Sequence, residues 1–242
     1  MLGFGIDLAG YTTGKTTLAV VEINGRLAEA TLLRDSPLSK KRKSSDSLRQ
    51  VLEQETEVLR RCLAIAPVAV DVPIDLQGLP FPANPERIWQ LTRRPIDRAV
   101  NAMPAFADRI GAPTARFAAI MRAGSFEAAL GERLFEAYPA ATLKTLKIEA
   151  RQYKGKEGAQ ALSALCAALK ITPPVDNDDD IDAIICAITA AVPTDAIHDA
   201  AALKVEGPMP KGFRIPKSLS FDKVDVRSAA FDTWMSAREV AA

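Results

Sequence analysis

Two aspartates interrupt hydrophobic segments that have the pattern of buried strands. Asp7 lies near the end of the alternating run at residues 2–8, and Asp71 lies in the apolar run at residues 68–72. Burying a carboxylate costs free energy unless it is hydrogen-bonded, paired with a cation or bound to a metal. If the two strands are adjacent and parallel, both carboxylates lie on one face of the sheet, about 5 Å apart. This arrangement suits Mg²⁺ or Mn²⁺, which prefer carboxylate and water oxygens.

Further acidic residues are expected near this pair. Glu136 lies in the segment LFEAY at residues 134–138, which favours a strand that ends at the following proline. Asp182 lies beside the isoleucine stripe of a predicted helix at residues 178–192, and Asp179 lies about one turn earlier. Packed against the sheet, this helix would present Asp182 and Asp179 to the first two aspartates.

Each acid also has a purely structural interpretation. An aspartate at the end of a strand can accept hydrogen bonds from turn amides. Glu136 could pair with Arg133 or with another cation near the edge of the sheet. The acidic run at residues 176–182 could simply favour a helix N-terminus through capping and the helix dipole. The joint placement of these acids at strand ends and on an apolar helix favours a shared site.

The elements that would position these acids form an α/β pattern. Residues 2–8 and 16–23 favour strands, and Asn24-Gly25 is a strong hairpin signal that leads to a third strand at 26–33. Three sequential strands joined by tight turns predict an antiparallel meander. The later strands are separated by helices, which predicts parallel additions to a mixed sheet with helices on its faces. The other predicted elements are a helix after the serine-rich segment 44–47, a mainly irregular stretch with a short helix at 73–104, and helices at 114–123 and 156–169.

Length and composition are those of an ordinary globular chain. The 242 residues, 48% of them hydrophobic, are enough to bury a core without disulfides. We expect one domain over residues 1–242, with an irregular C-terminal extension from about residue 205. The N-terminus lacks the basic region of a signal peptide, and the apolar stretch at 181–192 is too short to span a bilayer. These features predict a cytoplasmic protein that does not bind membranes.

A phosphate-binding loop is suggested by the segment AGYTTGKT at residues 9–16. Such a loop must open onto a helix, whose N-terminus holds the phosphates. The residues that follow are rich in β-branched side chains and favour a strand, so we reject this interpretation. Lys15 is then expected to be a solvated turn residue, and a contact with substrate phosphate is its less favoured role.

Charge and cysteine content exclude little. The 31 lysines and arginines balance 30 aspartates and glutamates, so only the local distribution of charge bears on nucleic acid. The basic run at residues 40–43 and the tail residues Lys211, Arg214 and Lys217 could contact phosphates, although solvated segments are the more common outcome. Aromatic residues do not interleave with these runs, so no stacking platform is indicated. Three cysteines without metal-binding spacing and a single histidine argue against structural zinc.

Five segments occur in an order that resembles a known family. They are GIDLAG (residues 5–10), VAVDVPID (68–75), RRPIDR (93–98), EAYPAAT (136–142) and DDIDAIICAITA (179–190). The set resembles the domain of unknown function 429 family, whose members are predicted nucleases of the RNase H-like superfamily. The resemblance covers roughly residues 1–192, and VEGPMPKGFRIP at 205–216 is similar to the C-terminal segment of that family.

The resemblance implies an RNase H-like mixed sheet and hydrolysis of phosphodiesters with two metal ions. In that chemistry, ions about 3.5–4 Å apart stabilise the attacking and leaving oxygens. Asp7 would bridge the metals, Asp71 and Asp182 would be ligands, and Glu136 or Asp179 would assist.

A further motif of the family contains Arg94 and Asp97. Arg94 could contact a substrate phosphate, or the two residues could form an ion pair that orders the loop.

The sequence therefore predicts a nuclease that depends on Mg²⁺ or Mn²⁺ and acts on DNA or RNA. One alternative is a non-catalytic RNase H-like module that binds nucleic acid or a protein. A less favoured alternative is an ATP-dependent phosphotransferase of the actin-like fold, with the loop at residues 9–16 as its phosphate loop. Fold resemblance alone does not decide among these functions.

Overall fold

A mixed β-sheet organises the chain. The computed structural model describes residues 1–10, 16–43, 45–76, 93–103, 108–148 and 158–239. Within these ranges the sheet has seven strands in the order β6-β5-β4-β1-β2-β3-β7. They are β1 (Leu2–Asp7), β2 (Thr17–Asn24), β3 (Leu27–Arg34), β4 (Val68–Val70), β5 (Leu134–Ala137), β6 (Phe213–Arg214) and β7 (Lys223–Ala230).

Strand directions confirm the predicted meander with parallel additions. β1, β2 and β3 pair antiparallel in sequence, and Gly25 adopts the positive φ of 61° that the tight β2–β3 turn requires. β4, β5 and β6 add in parallel beyond β1, and β7 adds in parallel beyond β3. Every described strand except β2 therefore ends at the same side of the sheet, which we name the carboxyl edge.

Helices cover both faces of the sheet. The helices are α1 (Leu48–Ile65), α2 (Pro95–Ala99), α3 (Asp108–Gly124), α4 (Pro139–Thr145), α5 (Ala159–Leu169), α6 (Asp178–Ala191) and α7 (Phe231–Glu239). On one face, α1, α3 and α7 bury a core with the residues of β1 and β4 that share that face. On the other face, α6 lies on the sheet, and α5 contributes Leu165 and Leu169 to the same core. Alternation along each strand supplies apolar side chains to both layers.

The close approach of α6 to β1 depends on two glycines. A Cβ atom at Gly5 would lie 2.0 Å from the carbonyl oxygen of Ala183, and one at Gly3 would lie 2.5 Å from the carbonyl oxygen of Ala187. No side chain fits in this space, so α6 lies directly on the backbone of β1. The pairing also fixes direction, because α6 begins over the carboxyl edge and runs antiparallel to β1.

The end of the chain differs from the sequence prediction. The extension from about residue 205, expected to be irregular, contributes β6 to one margin of the sheet, β7 to the other, and α7 to one face. The first half of β7 alternates, with Val224 and Val226 buried and Lys223, Asp225 and Arg227 exposed. The residues before β7 are rich in proline and lysine, and for that reason the whole extension was predicted to be irregular.

Helix boundaries also differ in detail. α3 begins at Asp108 rather than 114 and continues through Pro113, which lies in its second turn and removes one hydrogen bond of the helix. α4 was not predicted, and its N1 proline is typical of a helix start. The predicted helix at 156–169 begins at Ala159, and residues 149–157 lie outside the described ranges, as do residues 77–92 of the predicted irregular stretch.

Within the described part of the chain, every helix is too short or too polar to cross a bilayer. The cytoplasmic location expected from the sequence stays a prediction.

Candidate active site

Asp7 and Asp71 lie side by side at the carboxyl edge. β1 and β4 are adjacent and parallel, with Gly5 opposite Ala69 and Ile6 opposite Val70. One residue further along, the Asp71 amide donates a hydrogen bond of 2.9 Å to the Ile6 carbonyl oxygen. Asp7 and Asp71 therefore continue the same register, on neighbouring strands about 4.8 Å apart. Both lie on the face that α6 covers.

The first turns of α6 bring two more carboxylates to this edge. The carbonyl of Ala183 lies over Gly5, so Asp179, one turn before Ala183, lies at the level of Asp7. Asp182 is fully buried. It lies one turn before Cys186, which packs against residues of β4 and β5, so Asp182 is on the β4 side of the helix, where Asp71 lies.

The four aspartates fit a divalent metal in donor chemistry, because Mg²⁺ and Mn²⁺ prefer carboxylate oxygens. Among the described residues, however, no three acidic, histidine or cysteine side chains converge into a metal-binding group. Like charges disfavour one another at short range, so converging carboxylates need a cation or protons between them. The structure thus supplies the donors on one edge, and the assembled centre stays a prediction.

A neighbouring acid has a different role. Asp180 is fully buried and accepts two hydrogen bonds of 2.9 Å from the Arg34 guanidinium at the end of β3. Asp180 Oδ2 also accepts from the Asp176 amide, and the Asn177 side chain caps the helix by accepting from the Asp180 amide. The acidic run is therefore divided between an ion pair that anchors the start of α6 and two aspartates that lie toward β1 and β4. The expected capping of the helix is made by Asn177, and the pairing of Asp180 with Arg34 was not predicted.

Glu136 does not join the aspartates. It lies opposite Val70 in the β4–β5 ladder, so it points to the face opposite that of Asp7 and Asp71. Its carboxylate, 3% exposed, accepts from Arg94 Nη1 at 2.8 Å and Nη2 at 2.5 Å, and from the Ile74 amide at 2.8 Å. Glu136 therefore forms a buried ion pair, and its partner is Arg94 and not Arg133. This position does not support the predicted catalytic role of Glu136.

Arg94 is the centre of this buried network. Its Nε and Nη2 donate to the carboxylate of Asp97, and its Nη1 donates to the carbonyl oxygen of Asp75 at 3.0 Å. All five N–H groups of the guanidinium have acceptors, and the side chain is 1% exposed. No donor is left for a substrate phosphate, so the ion-pair interpretation of Arg94 and Asp97 is confirmed and the phosphate contact is not supported.

Burial and pairing shift the titration of this network. Burial raises the pKa of the Glu136 carboxyl above its ordinary value, and the hydrogen bonds from Arg94 oppose that rise. Burial lowers the pKa of the Arg94 guanidinium, but the hydrogen bonds and charges of Glu136 and Asp97 outweigh it, and the net pKa is raised. Arg94 therefore stays protonated and fixes the segment that follows Asp71, because both Ile74 and Asp75 are bonded to the pair.

A small cleft adjoins Asp71. It has about 30 Å³ of space, and its lining includes Arg94, Glu136, Tyr138 and Phe213. A cavity of this size holds one or two waters and excludes a nucleotide base. This cleft is therefore too small to bind a nucleotide.

The basic segments differ in how exposed their side chains are. Lys40, Lys41 and Lys43 are exposed on the segment that follows β3 and leaves the carboxyl edge. Arg214, by contrast, stacks on the Phe135 ring at 3.4 Å, and burial lowers its pKa.

The tail lysines have local contacts. Lys217 donates to the carbonyl oxygen of Asp195, and the Lys211 side chain lies against the backbone of Gly131. Arg214 is therefore held within the fold, whereas Lys211 and Lys217 are exposed, as are Lys40, Lys41 and Lys43.

The loop that resembles a phosphate-binding loop opens onto a strand. β2 begins at Thr17, directly after that segment, so no helix N-terminus follows it and its rejection is confirmed. Lys15, the less favoured phosphate contact, lies outside the described residues.

A second buried arginine was missed by the sequence analysis. Arg116 of α3 pairs with Glu55 of α1 at 2.7 Å, with side chains 1% and 0% exposed. Both residues interrupt the apolar stripe of a predicted helix, which is a signal for a buried ion pair.

The fold and the site define a mixed α/β protein with a cluster of aspartates at the carboxyl edge of its sheet. Residues 114–198 match the model of the family described as "Protein of unknown function (DUF429)", so the expected family is confirmed over this segment. The match includes β5 and the aspartates of α6, whereas Asp7 and Asp71 precede it. No curated protein and no solved structure is significantly similar to the chain.

Proposed function

We propose that this protein is an RNase H-like nuclease that hydrolyses phosphodiester bonds with Mg²⁺ or Mn²⁺. The observation that carries the proposal is the β1–β4 register, which sets Asp7 beside Asp71 on the face where α6 begins. Two independent segments thus end in aspartates at one point, and a third segment adds Asp179 and Asp182. A purely structural function of each acid does not require this coincidence.

Asp7, Asp71, Asp179 and Asp182 would hold the cations. When bound, Mg²⁺ or Mn²⁺ supplies charge stabilisation at phosphoryl oxygens and lowers the pKa of coordinated water. Of the four, Asp7 is central, because it lies between Asp71 on the neighbouring strand and Asp179 on the helix. Asp182 is completely removed from solvent, so a carboxylate at this position requires hydrogen bonds or a cation.

Residues around the aspartates hold them in place. The Arg94–Glu136 pair fixes the backbone of Ile74 and Asp75, and so the path of the chain after Asp71. The Arg34–Asp180 pair anchors the first turn of α6 and so fixes the orientation of its neighbouring aspartates. Positioning of this kind is needed because ligands must be held within about 0.5 Å of their working geometry.

The exposed lysines favour nucleic acid over a small phosphodiester. Ser39 donates through Oγ to the carbonyl oxygen of Thr16 at 2.6 Å, and Thr17 is paired with Asp7. Lys40 and the lysines that follow it therefore begin close to the acidic cluster. Cations beside a catalytic centre attract the phosphate backbone of a long substrate, and a small substrate would not reach them.

The test is cleavage of labelled single-stranded, duplex, hybrid and branched substrates with Mg²⁺ or Mn²⁺. Asp7→Asn and Asp182→Asn should abolish cleavage, and both should remove the rise in melting temperature that Mn²⁺ gives the wild type. The matched control is Asp222→Asn, an exposed acid paired with Arg26 at the opposite edge of the sheet, which should cleave normally. Full activity in Asp7→Asn would refute the proposal.

A second candidate is a non-catalytic module that binds nucleic acid or protein. It is favoured by the absence, within the described ranges, of an assembled group of three metal ligands. It predicts retention of labelled nucleic acid without cleavage and no stabilisation by Mn²⁺. The same panel of substrates therefore separates the two functions.

A further inference from the structure

Arg116 binds four separate segments at once. Its Nη1 donates to the carbonyl oxygen of Ala9 at 2.6 Å and to Thr16 Oγ1 at 3.0 Å. Its Nη2 donates to the carbonyl oxygen of Leu38 at 2.8 Å and to Glu55 Oε1 at 2.7 Å, and Nε donates to Glu55 Oε2 at 3.3 Å. All five N–H groups of the guanidinium are used. We name this set of contacts the Arg116 clamp.

The clamp joins the chain after Asp7 to the segment that carries the lysines. Ala9 and Thr16 are the two ends of the loop between β1 and β2, and the Ala9 amide also donates to Thr16 Oγ1 at 3.0 Å. Leu38 immediately precedes Ser39, whose Oγ binds the Thr16 carbonyl oxygen. Two links, one from Arg116 and one from Ser39, thus hold the start of the basic segment against the end of the loop.

Arg42 strengthens the same attachment from within the basic segment. Its Nη2 donates to the carbonyl oxygen of Pro37 at 3.1 Å and to the Gln54 side chain at 3.2 Å, and it lies 3.9 Å from the Glu55 carboxylate. Arg42 is therefore directed inward, whereas Lys40, Lys41 and Lys43 are exposed. One basic residue attaches the segment and the other three face solvent.

Stability alone does not account for the clamp. Apolar residues of similar volume can replace a buried ion pair with little loss of stability, or even a gain. An apolar side chain could not bind the carbonyl groups of Ala9 and Leu38, and these bonds set the distance between two segments that are far apart in sequence. The distinctive effect of Arg116 is therefore geometric.

We infer that Arg116 is a positioning residue that holds Lys40, Lys41 and Lys43 at a fixed distance from Asp7, and so sets where a nucleic-acid backbone lies relative to the acidic cluster. The inference rests on the proposed function for its substrate class. Through Thr17, Thr16 and Ser39 the path from Asp7 to Lys40 is at most about 20 Å long. Along the axis of a duplex, this length spans at most about six phosphates of one strand.

The experiment is a thermodynamic cycle on binding, measured by fluorescence anisotropy of fluorescein-labelled DNA without divalent metal. The DNA is short and is used both single-stranded and as a duplex. The variants are Arg116→Lys, the triple variant Lys40→Gln/Lys41→Gln/Lys43→Gln, and their combination. Each is titrated at several salt concentrations, because the slope of log affinity against log salt falls by about 0.9 for each lost contact with duplex phosphate.

We expect the triple variant to lower the salt slope by up to about three for duplex DNA. Arg116→Lys keeps the charge but loses the planar guanidinium, so it should also lower the salt slope. The combined variant should bind no more weakly than the triple variant. This non-additivity is the signature of residues that act through one another. Ser39→Ala, which removes one link without touching the buried pair, should give a smaller effect in the same direction and stands in if Arg116→Lys does not fold.

The matched control is Arg61→Lys. Arg61 also links two elements, α1 and α7, through ion pairs with Asp232 and Glu239, but these pairs are partly exposed. It should lower the melting temperature without changing the salt slope.

Two results would overturn the inference, and they differ from a failure of the proposed function. Additive losses in the cycle, or an unchanged salt slope in both Arg116→Lys and Ser39→Ala, would show that Arg116 has only a structural role. Absence of DNA binding by the wild type would overturn both the inference and the proposed nuclease. Non-additive binding without any cleavage would support the inference and refute only the catalytic part of the proposed function.

Discussion

Removal of the Arg94 guanidinium should destabilise the protein in a way that depends on pH. Arg94→Met keeps most of the side-chain volume but leaves the carboxylates of Glu136 and Asp97 buried, at 3% and 2% exposure, without their cation. Loss of one partner of a buried ion pair costs about 3–5 kcal/mol. For a chain of this length, that loss lowers the melting temperature by about 6–20 °C.

The pH dependence follows from the titration of Glu136. Burial already raises the pKa of this carboxyl, and Arg94 is the main opposing influence, so the pKa rises further in Arg94→Met. A group whose pKa is higher in the folded than in the unfolded state stabilises the fold below the unfolded value, about 4.3, and loses that contribution as pH rises through the folded value. The deficit of Arg94→Met relative to wild type should therefore be small near about pH 4 and grow toward about pH 8.

The assay is urea unfolding followed by circular dichroism at several pH values. Arg49→Met is the matched control, because Arg49 forms an exposed ion pair with Glu53 on α1. Its cost should stay below about 0.5 kcal/mol at every pH. Adding Glu136→Gln to Arg94→Met should recover part of the loss, since one buried charge is removed. A deficit in Arg94→Met that is independent of pH, or no larger than that of the control, would refute the reasoning.

Two further predictions concern the contact of α6 with the sheet. Gly5→Ala should lower the free energy of unfolding by about 3 kcal/mol or more, because the added methyl meets the α6 backbone at 2.0 Å. The control Gly10→Ala, whose methyl has only an ordinary contact at 3.6 Å, should be close to wild type, and equal costs would contradict the packing argument. Asp180→Asn should cost about 1.5–3 kcal/mol, because Arg34 loses its charge-assisted hydrogen bonds to Asp180 but keeps its ion pair with Asp176, whereas Asp178→Asn should cost under about 1 kcal/mol. Urea unfolding measures both, and a similar loss for the two aspartates would show that Asp180 has no special role.

The positions of Asp7 and Asp71 were predictable because their signal is local. Period-two alternation identified the first strand, and proline residues marked the limits of the second. If the two strands are adjacent and parallel, they end at the same edge and the acids at their ends are neighbours. The register of β1 and β4 confirms this expectation.

The face that Glu136 occupies was not predictable from its own segment. A shift of one residue in the β4–β5 register would exchange the faces of Glu136 and its neighbours, and the short run LFEAY does not specify that register. The pairing with Val70 is set by the packing of the surrounding layers. Its cation was equally hidden, since Arg94 lies 42 residues earlier in the chain.

The sequence by itself determined the type and order of most elements and the acidic residues that end them, because these depend on periodicities of two and 3.6 residues within short windows. Tertiary structure alone decided which aspartates of α6 lie toward the sheet, which acids pair with Arg34, Arg94 and Arg116, and where the lysines at 40–43 lie. The physical reason is that ion pairs and the facing of helices depend on contacts between distant segments, such as the 146 residues that separate Arg34 from Asp180. A local sequence pattern does not encode such a contact, because the two residues become neighbours only when the sheet has formed.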